Sequence, residues 1–505
     1  MAEPRRLPVL FVLVAALVGA LLVGRGSPAT GSAAPVLPAP SSAPVTALSS
    51  SWFCAGATEY PDSIAAGQLL LENAGPRLVT GTAQLVSQNG YEMTLPVSLA
   101  PGQTTAVVEQ LPGLAGSNSD HWVGAIVNLY GGMASVTQVI TSAHGSASQP
   151  CATSASARWY FPYGAALRNA WDVLTLLNPY SVPAVADLSF TTDQGQEQPL
   201  AFEAVEVRAD SLAVVNLGSH LRRRQHIAAT VTTRSGRIVA FETELVNPPP
   251  AGAAPVGTPG AVNPVVPVPG VMLALGSTQA ASSLWWPSGG EGAGETETYA
   301  IYNPSPGAAQ LSLDLLPGTA ANTPGSSSAL SVPGNGAILV TTNDQPWALP
   351  GVAYAAHLVS TNGVPVVAAR VLMAAPPATS RGLAMLLGQS RGEPMWMVSG
   401  GLSGGSSFVR SQQFLGAVWL GIVDASDVPA TVSVEELSGG KLAPLSGLSA
   451  LKVEPGHHVE LQLPDELAGD ALVVTGTRPV LIEQDWYSSL LSAGTNLAPA
   501  TQLAP

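Results

Sequence analysis

A tryptophan-led phrase recurs four times along this 505-residue chain, and each time it opens the same succession of short apolar runs. The openings are Trp52-Phe53-Cys54, Trp159-Tyr160-Phe161-Pro162, Trp285-Trp286-Pro287 and Trp396-Met397-Val398. Each precedes a run that stops at a turn. These runs are Leu69-Leu70-Leu71-Glu72-Asn73, Leu174-Thr175-Leu176-Leu177-Asn178-Pro179, Tyr299-Ala300-Ile301-Tyr302-Asn303-Pro304 and Trp419-Leu420-Gly421-Ile422-Val423-Asp424. A unit repeated in this way means tandem copies of one supersecondary plan.

The first copy shows the plan. Apolar strands are predicted over Gln68–Asn73, Thr80–Ser87, Met93–Leu99, Thr104–Gln110, Trp122–Leu129 and Ser135–Thr141. Thr82-Ala83-Gln84-Leu85-Val86 alternates as a half-buried strand does, and Gly75-Pro76, Asn89-Gly90, Pro101-Gly102, Pro112-Gly113 and Gly131-Gly132 break the runs. Helical periodicity is absent over any long window. Six or seven short strands per roughly 100 residues is the pattern of an antiparallel β-sandwich such as an immunoglobulin-like module. Propeller blades need about four strands per roughly 40–50 residues, which argues against them.

The resulting organisation has a cytoplasmic tip and transmembrane anchor over 1–25 and a Pro/Ala/Ser-rich tether over 26–49. Four sandwiches follow, at 50–153, 154–247, 270–377 and 378–490, with a Pro/Gly/Ala-rich linker at 248–269 and a C-terminal tail at 491–505. The linker reads as a stiff connection between two pairs of modules.

The anchor rests on Arg5 and Arg6 preceding the uncharged run Leu7 to Gly24. That run is close to the ~20 residues that span a bilayer, and the flanking charge favours an N-in, C-out orientation. A small-residue site near Ala33-Ala34 leaves open a cleaved signal and a secreted product. Either way the remaining chain lies outside the cytoplasm. The only two cysteines, Cys54 and Cys151, bracket the first copy and are expected to be bonded there. On the chain-entropy account, closing such a loop stabilises by up to about 4–5 kcal/mol.

Chemistry is sparse. Only 10% of residues are charged and the net charge is −14, which argues against nucleic acid because phosphate binding needs clustered Lys and Arg. Gly401-Leu402-Ser403-Gly404-Gly405 matches a nucleophile elbow, with Asp424, Asp427, His457 and His458 following in order. The motif needs a strand–turn–helix setting, and Ser399 to Ser407 reads as a Gly/Ser loop. His457 and His458 are adjacent on a strand and face opposite ways, so joint chelation is poor. No catalytic, metal or cofactor site is expected. Arg222, Arg223 and Arg224 form the one basic cluster, a possible contact for an anionic partner.

The Trp-aromatic-Cys opening after a membrane anchor, the repeated hydrophobic–Asn-Pro phrases and the second Cys closing the first module together resemble an uncharacterised family of actinobacterial exported proteins. The resemblance implies an exported all-β chain and brings no catalytic residue with it. The expectation is a non-enzymatic, membrane-anchored scaffold or binding protein of the cell envelope, with an envelope protein or polysaccharide as partner. The rival readings are an envelope hydrolase and a carbohydrate-binding array with a site at a module junction.

Overall fold

A computed structural model of the chain describes residues 40–503 except 60–63, 112–120, 169, 247–267, 291, 319–322, 379, 401–415, 439–440, 465–466, 468–470 and 489–494. Contacts divide the chain into the units Met1–Pro38 and Ala39–Pro505, and the described residues all belong to the second. They are β-strands with short 3-10 turns such as Leu200–Phe202 and Leu217–Ser219. Among the described residues no helix is long and apolar enough to cross a membrane. The anchor expected over 1–25 lies outside them.

One register recurs in all four copies. The tryptophans of the lead strands Ser50–Thr58, Arg158–Phe161, Ser283–Trp286 and Glu393–Val398 are Trp52, Trp159, Trp286 and Trp396, each at most 2% exposed. Trp52 pairs with Val127, which pairs in turn with Ala83. The corresponding trios are Trp159–Val231–Leu188, Trp286–Ala356–Leu315 and Trp396–Val474–Val434. Three of the indoles donate across the fold to a main-chain carbonyl: Trp159 to Ile238, Trp286 to Leu386 and Trp396 to Val480, at 2.8–3.0 Å. A buried indole N–H without a partner is costly, so these bonds fix the ring as well as satisfying it.

The continuous apolar runs form the inner strands Ala66–Asn73, Ala170–Asn178, Glu295–Asn303 and Gly416–Val423. Three of these end on an asparagine performing one job. Asn178 Nδ2 donates to the carbonyls of Val182, Val207 and Arg208 at 2.8–3.2 Å, while its Oδ1 accepts from Tyr180 N. Asn73 and Asn303 repeat the set on Arg77, Leu99 and Ala100, and on Gly307, Val332 and Pro333. One amide thus joins the turn after the inner strand to a distant chain segment. The fourth copy has Asp424 instead. Its Oδ1 accepts from Ser426 N at 2.8 Å, but Oδ2 is buried with no hydrogen-bond partner, since an acceptor stands where a donor is required.

Layers differ in burial. The outer-sheet strands Ala184–Thr192 and Ala309–Pro317 alternate buried and half-open residues. The inner-sheet strands Ala66–Asn73 and Val239–Val246 are buried at every residue. The second face of each inner sheet is covered by the neighbouring copies. The last inner strand of each copy pairs with an axial strand, Gly145–Pro150, Gly270–Leu275, Gly382–Leu387 or Thr495–Pro499. Each axial strand contacts the next, and the fourth contacts the first. The copies therefore close into a ring and do not divide into two pairs.

Apolar side chains seal each junction. Phe53 and Ile126 join Leu212 and Phe241; Tyr160 and Ala228 join Tyr302 and Val367. Trp285 and Ala355 join Val423 and Leu481, and Met397, Val473 and Leu503 join Ala74. Both chain ends contribute to closure. Within the span expected as tether, Ser42 N donates to Gln502 O and Met133 N to Ala43 O, at 2.8 and 2.9 Å. Within the span expected as tail, Thr501–Gln502 pairs with the fourth lead strand.

The disulfide is formed, with Cys54 and Cys151 sulfurs 2.04 Å apart and both residues fully buried. It ties the first lead strand to the chain entering the second copy. From the asparagine comparison, Asp424→Asn should stabilise the protein by about 1 kcal/mol and Asn178→Asp should destabilise it by about 1–3 kcal/mol, read from chemical denaturation. A loss of stability in Asp424→Asn would contradict the turn assignment.

Candidate functional site

Inside the buried inner sheets, one register position is polar in every copy. Gln138, Glu242, Arg370 and Gln484 stand opposite Leu69, Leu174, Tyr299 and Leu420, and all four are buried. A buried polar group must find a partner, and three copies solve this differently. In the first, Gln138 Nε2 donates to both oxygens of Glu109, at 3.0 and 2.9 Å. Glu109 fills the space beside Gly67, where any added Cβ would collide with it.

In the second copy the partners are both acids, Asp172 and Glu242, with Glu244 close by. Apart from the contact the two acids make with each other, none of the four carboxylate oxygens of Asp172 and Glu242 has a hydrogen-bond partner among the described residues. A proton kept between the two acids is what allows them to be buried together. Burial pushes Asp172 up to about 8, and burial plus the Asp172 charge holds Glu242 and Glu244 well above the usual carboxylate range.

The third copy uses an ion-pair network that reaches into the fourth. Arg370 Nη1 lies 3.2 Å from Glu297, while Nη2 bonds Glu483 and lies 3.6 Å from Asp485. Tyr299 and Tyr354 hydroxyls donate to Glu297 Oε1 at 2.6 and 2.9 Å. Ser288 Oγ donates to Asp485 at 2.6 Å and to Glu460 at 3.2 Å. Burial opposes the Arg370 charge, but the surrounding carboxylates of Glu483, Asp485 and Glu297 keep it strongly protonated. Burial raises Glu460 to about 7, with the Asp485 charge adding to the effect. At the junction of the fourth and first copies, buried Glu72 accepts from Gly400 N, Ser399 Oγ and Ser135 Oγ at 2.9–3.0 Å. Apart from the half-buried Glu460, the carboxylates of these clusters are buried, and among the described residues no group of His, Cys, Asp and Glu can hold a metal ion.

The open feature is elsewhere. A groove of about 630 Å³ lies between the first two copies. Its lining includes Gln88, Asn89 and Trp122 from the first and Trp171, Arg208 and Asn216 from the second. Strand alternation places it: Asp172 points inward, so its neighbour Trp171 points out and is 44% exposed.

The residues singled out by sequence do not converge. Ser403 lies outside the described residues. Asp424 serves the turn, and His457 and His458 face the carbonyls of Pro317 and Leu316 at 3.4 and 3.1 Å. Arg224 is ion-paired to Glu197 through Nε and Nη2, at 2.5 and 2.9 Å, whereas Arg222 and Arg223 are exposed. Missed by sequence were Glu109, Asp172, Glu242, Arg370 and Trp171. The available signal was a charge set within an apolar run, as in Phe241-Glu242-Thr243-Glu244-Leu245.

No curated protein matches the chain. Among solved structures, a Thermotoga maritima protein (Thermotoga maritima 1070) aligns at 14% identity over 25% of this chain and 96% of its own, with a TM-score of 0.19. A Bacteroides uniformis beta-glucuronidase, and a calcium-binding mutant of beta-glucuronidase 2 from the same organism, align at 9% identity over 52% of this chain and 27% of theirs, with TM-scores of 0.12. This chain therefore spans about a quarter of those enzymes, and similarity this low carries no argument. The model of a family of unknown function (DUF5719) matches residues 130–371, from the end of the first copy through most of the third. That match supports the resemblance to an uncharacterised family.

The buried acids give stability a pH dependence with a definite sign. Glu109, Asp172 and Glu460 have raised values, about 8, 8 and 7, so each binds a proton more tightly folded than unfolded. Stability is then lost as pH rises through those values. Burial lowers His226, and lowers His357 and His458 to about 4, so their opposite effect is complete above the ordinary 6.5. Between pH 6.5 and about 8 the acids act alone among these groups. The thermal midpoint should fall across that window, each acid contributing up to about 1.4 kcal/mol per pH unit. Asp172→Asn should make the fall shallower; a midpoint that rises across the window would contradict the protonated pair.

Proposed function

We propose that the chain is a membrane-anchored, extracytoplasmic binding protein of the cell envelope, non-catalytic and built from four tandem immunoglobulin-like β-sandwich modules. The exported, actinobacterial side of the family resemblance belongs to the same proposal, as does the N-terminal helix over 1–25. One observation carries the binding reading: the clustered titratable groups are almost all buried, while a groove between the first two copies, of mixed aromatic and amide character, is open. Catalysis requires nucleophile, base and oxyanion donors within reach of a substrate, and sealed carboxyls serve packing instead. The buried disulfide fits an oxidising compartment.

Arg222 and Arg223 supply an exposed basic patch for an anionic partner, with Arg224 occupied by Glu197. Two experiments test the reading. Protease added outside intact cells should digest the region from residue 40 onward; protection of that region would defeat the location. A screen with ester and glycan substrates should show no turnover, and turnover abolished by Ser403→Ala would establish the hydrolase instead. Reversing charge at Arg222 and Arg223, leaving Arg224 intact, should weaken anionic-partner binding without changing the melting temperature.

A further inference from the structure

We propose that the groove between the first and second copies binds an uncharged oligosaccharide, with Trp171 as its stacking platform. The proposal rests on the extracytoplasmic binding reading and names the ligand class.

Trp171 is not required by the fold. Counting back seven residues from the conserved turn position, the other three copies hold Ala66, Thr296 and Ala417 where the second holds Trp171. Small side chains therefore satisfy this site structurally. The edge strand Ser211–Asn216 explains the exposure: its register begins with Asn216 opposite Val173, so it ends before reaching Trp171. The indole stands uncovered beyond the strand end, 44% exposed on an inner strand that is otherwise buried. Trp122 in the opposite wall is also particular to its copy. Five residues before the register position shared by Val127, Val231 and Ala356, the second and third copies hold His226 and Gly351.

The polar lining selects the ligand. Gln88, Asn89 and Asn216 present amides, each both donor and acceptor, which suits hydroxyl groups. The Gln88 Oε1 atom has no hydrogen-bond partner among the described residues. Glu206 and Arg208 contribute one charge of each sign, so the lining carries no excess charge to favour an anion or a cation. Arg208 Nη2 is also held by the Gln88 carbonyl at 3.1 Å, which ties the two walls together. A rigid, preformed site loses little entropy on binding. The volume of about 630 Å³ falls in the usual range for small-ligand sites and admits a short chain of sugars. Flat apolar sugar faces stack on an exposed indole while their hydroxyls reach the amides, the division of labour that such sites use.

The test uses the protein from residue 40 onward and soluble α-glucan, β-glucan, mannan and chitin oligosaccharides, followed by tryptophan fluorescence and calorimetry. At least one series should bind, with little dependence on added salt. Trp171→Ala should weaken that binding about tenfold or more, since a lost stacking contact is worth that factor. Because Trp171 is surface-placed, its thermal midpoint should match the parent protein. Asn216→Ala should weaken the same ligand less. Absence of binding across all four series, or binding unchanged in Trp171→Ala, would overturn the proposal. So would displacement from the groove by an extended peptide paired to the free edge of Ser211–Asn216. If protease digestion outside intact cells succeeds while no sugar binds, the groove assignment alone falls; protection from that protease removes the extracytoplasmic reading on which it rests.

Discussion

The inner strands are buried on both faces, and this constraint shapes the whole assembly. A sandwich in isolation buries only one face of each sheet and leaves the other in water. Here Ala66–Asn73 and Val239–Val246 are buried at every residue, which requires cover from the neighbouring copies as well as from their own sandwich. Each leucine or valine buried at a junction contributes about 1.5–3 kcal/mol by leaving water, a gain that adds to the core each copy forms by itself. Closure also explains why both chain ends are ordered against one another, through Ser42 and Gln502, and why Leu503 is buried with Ala74.

A ring sealed by apolar contacts still has to accommodate buried polar groups, and those groups set the orientation of the copies. Arg370 bridges the third core to Glu483 and Asp485 of the fourth, while Glu72 receives donors from Ser399 and Gly400. Thr243 of the second copy donates to Gly56 of the first at 2.7 Å. Such bonds add little net stability, because desolvation offsets attraction, but misregistered junctions would leave charges unpaired. The polar position thus specifies one packing among several that hydrophobic burial alone would accept.

Much of this was legible in the residues. The four tryptophan phrases located equivalent buried indoles, and Thr82 to Val86 alternated as a half-exposed strand must. The run Leu69-Leu70-Leu71 carried further information: a strand without alternation is covered on both sides, which separate beads on a linker cannot provide. The linker expected over 248–269 lies almost wholly outside the described residues, and its composition reports local stiffness while saying nothing of long-range closure. The meeting of Asp172 with Glu242 was hidden for a related reason, since a charge within an apolar run can be seen in one strand but what stands opposite it cannot. Trp171 was obscured by proximity to a predicted core run, although it is exposed through the early end of its neighbour.

Ring closure is tested most directly by calorimetry of the protein from residue 40 onward, with and without residues 495–505. These residues include the fourth axial strand and Thr501–Gln502, which meets the N-terminal segment. If the ring is one cooperative structure, their removal lowers the unfolding temperature of the entire transition, because the fourth axial strand meets both the third and the first and its loss opens the ring. If the first three copies keep their enthalpy and melt at an unchanged temperature while only the fourth is lost, the copies are independent and the account of mutual burial is wrong.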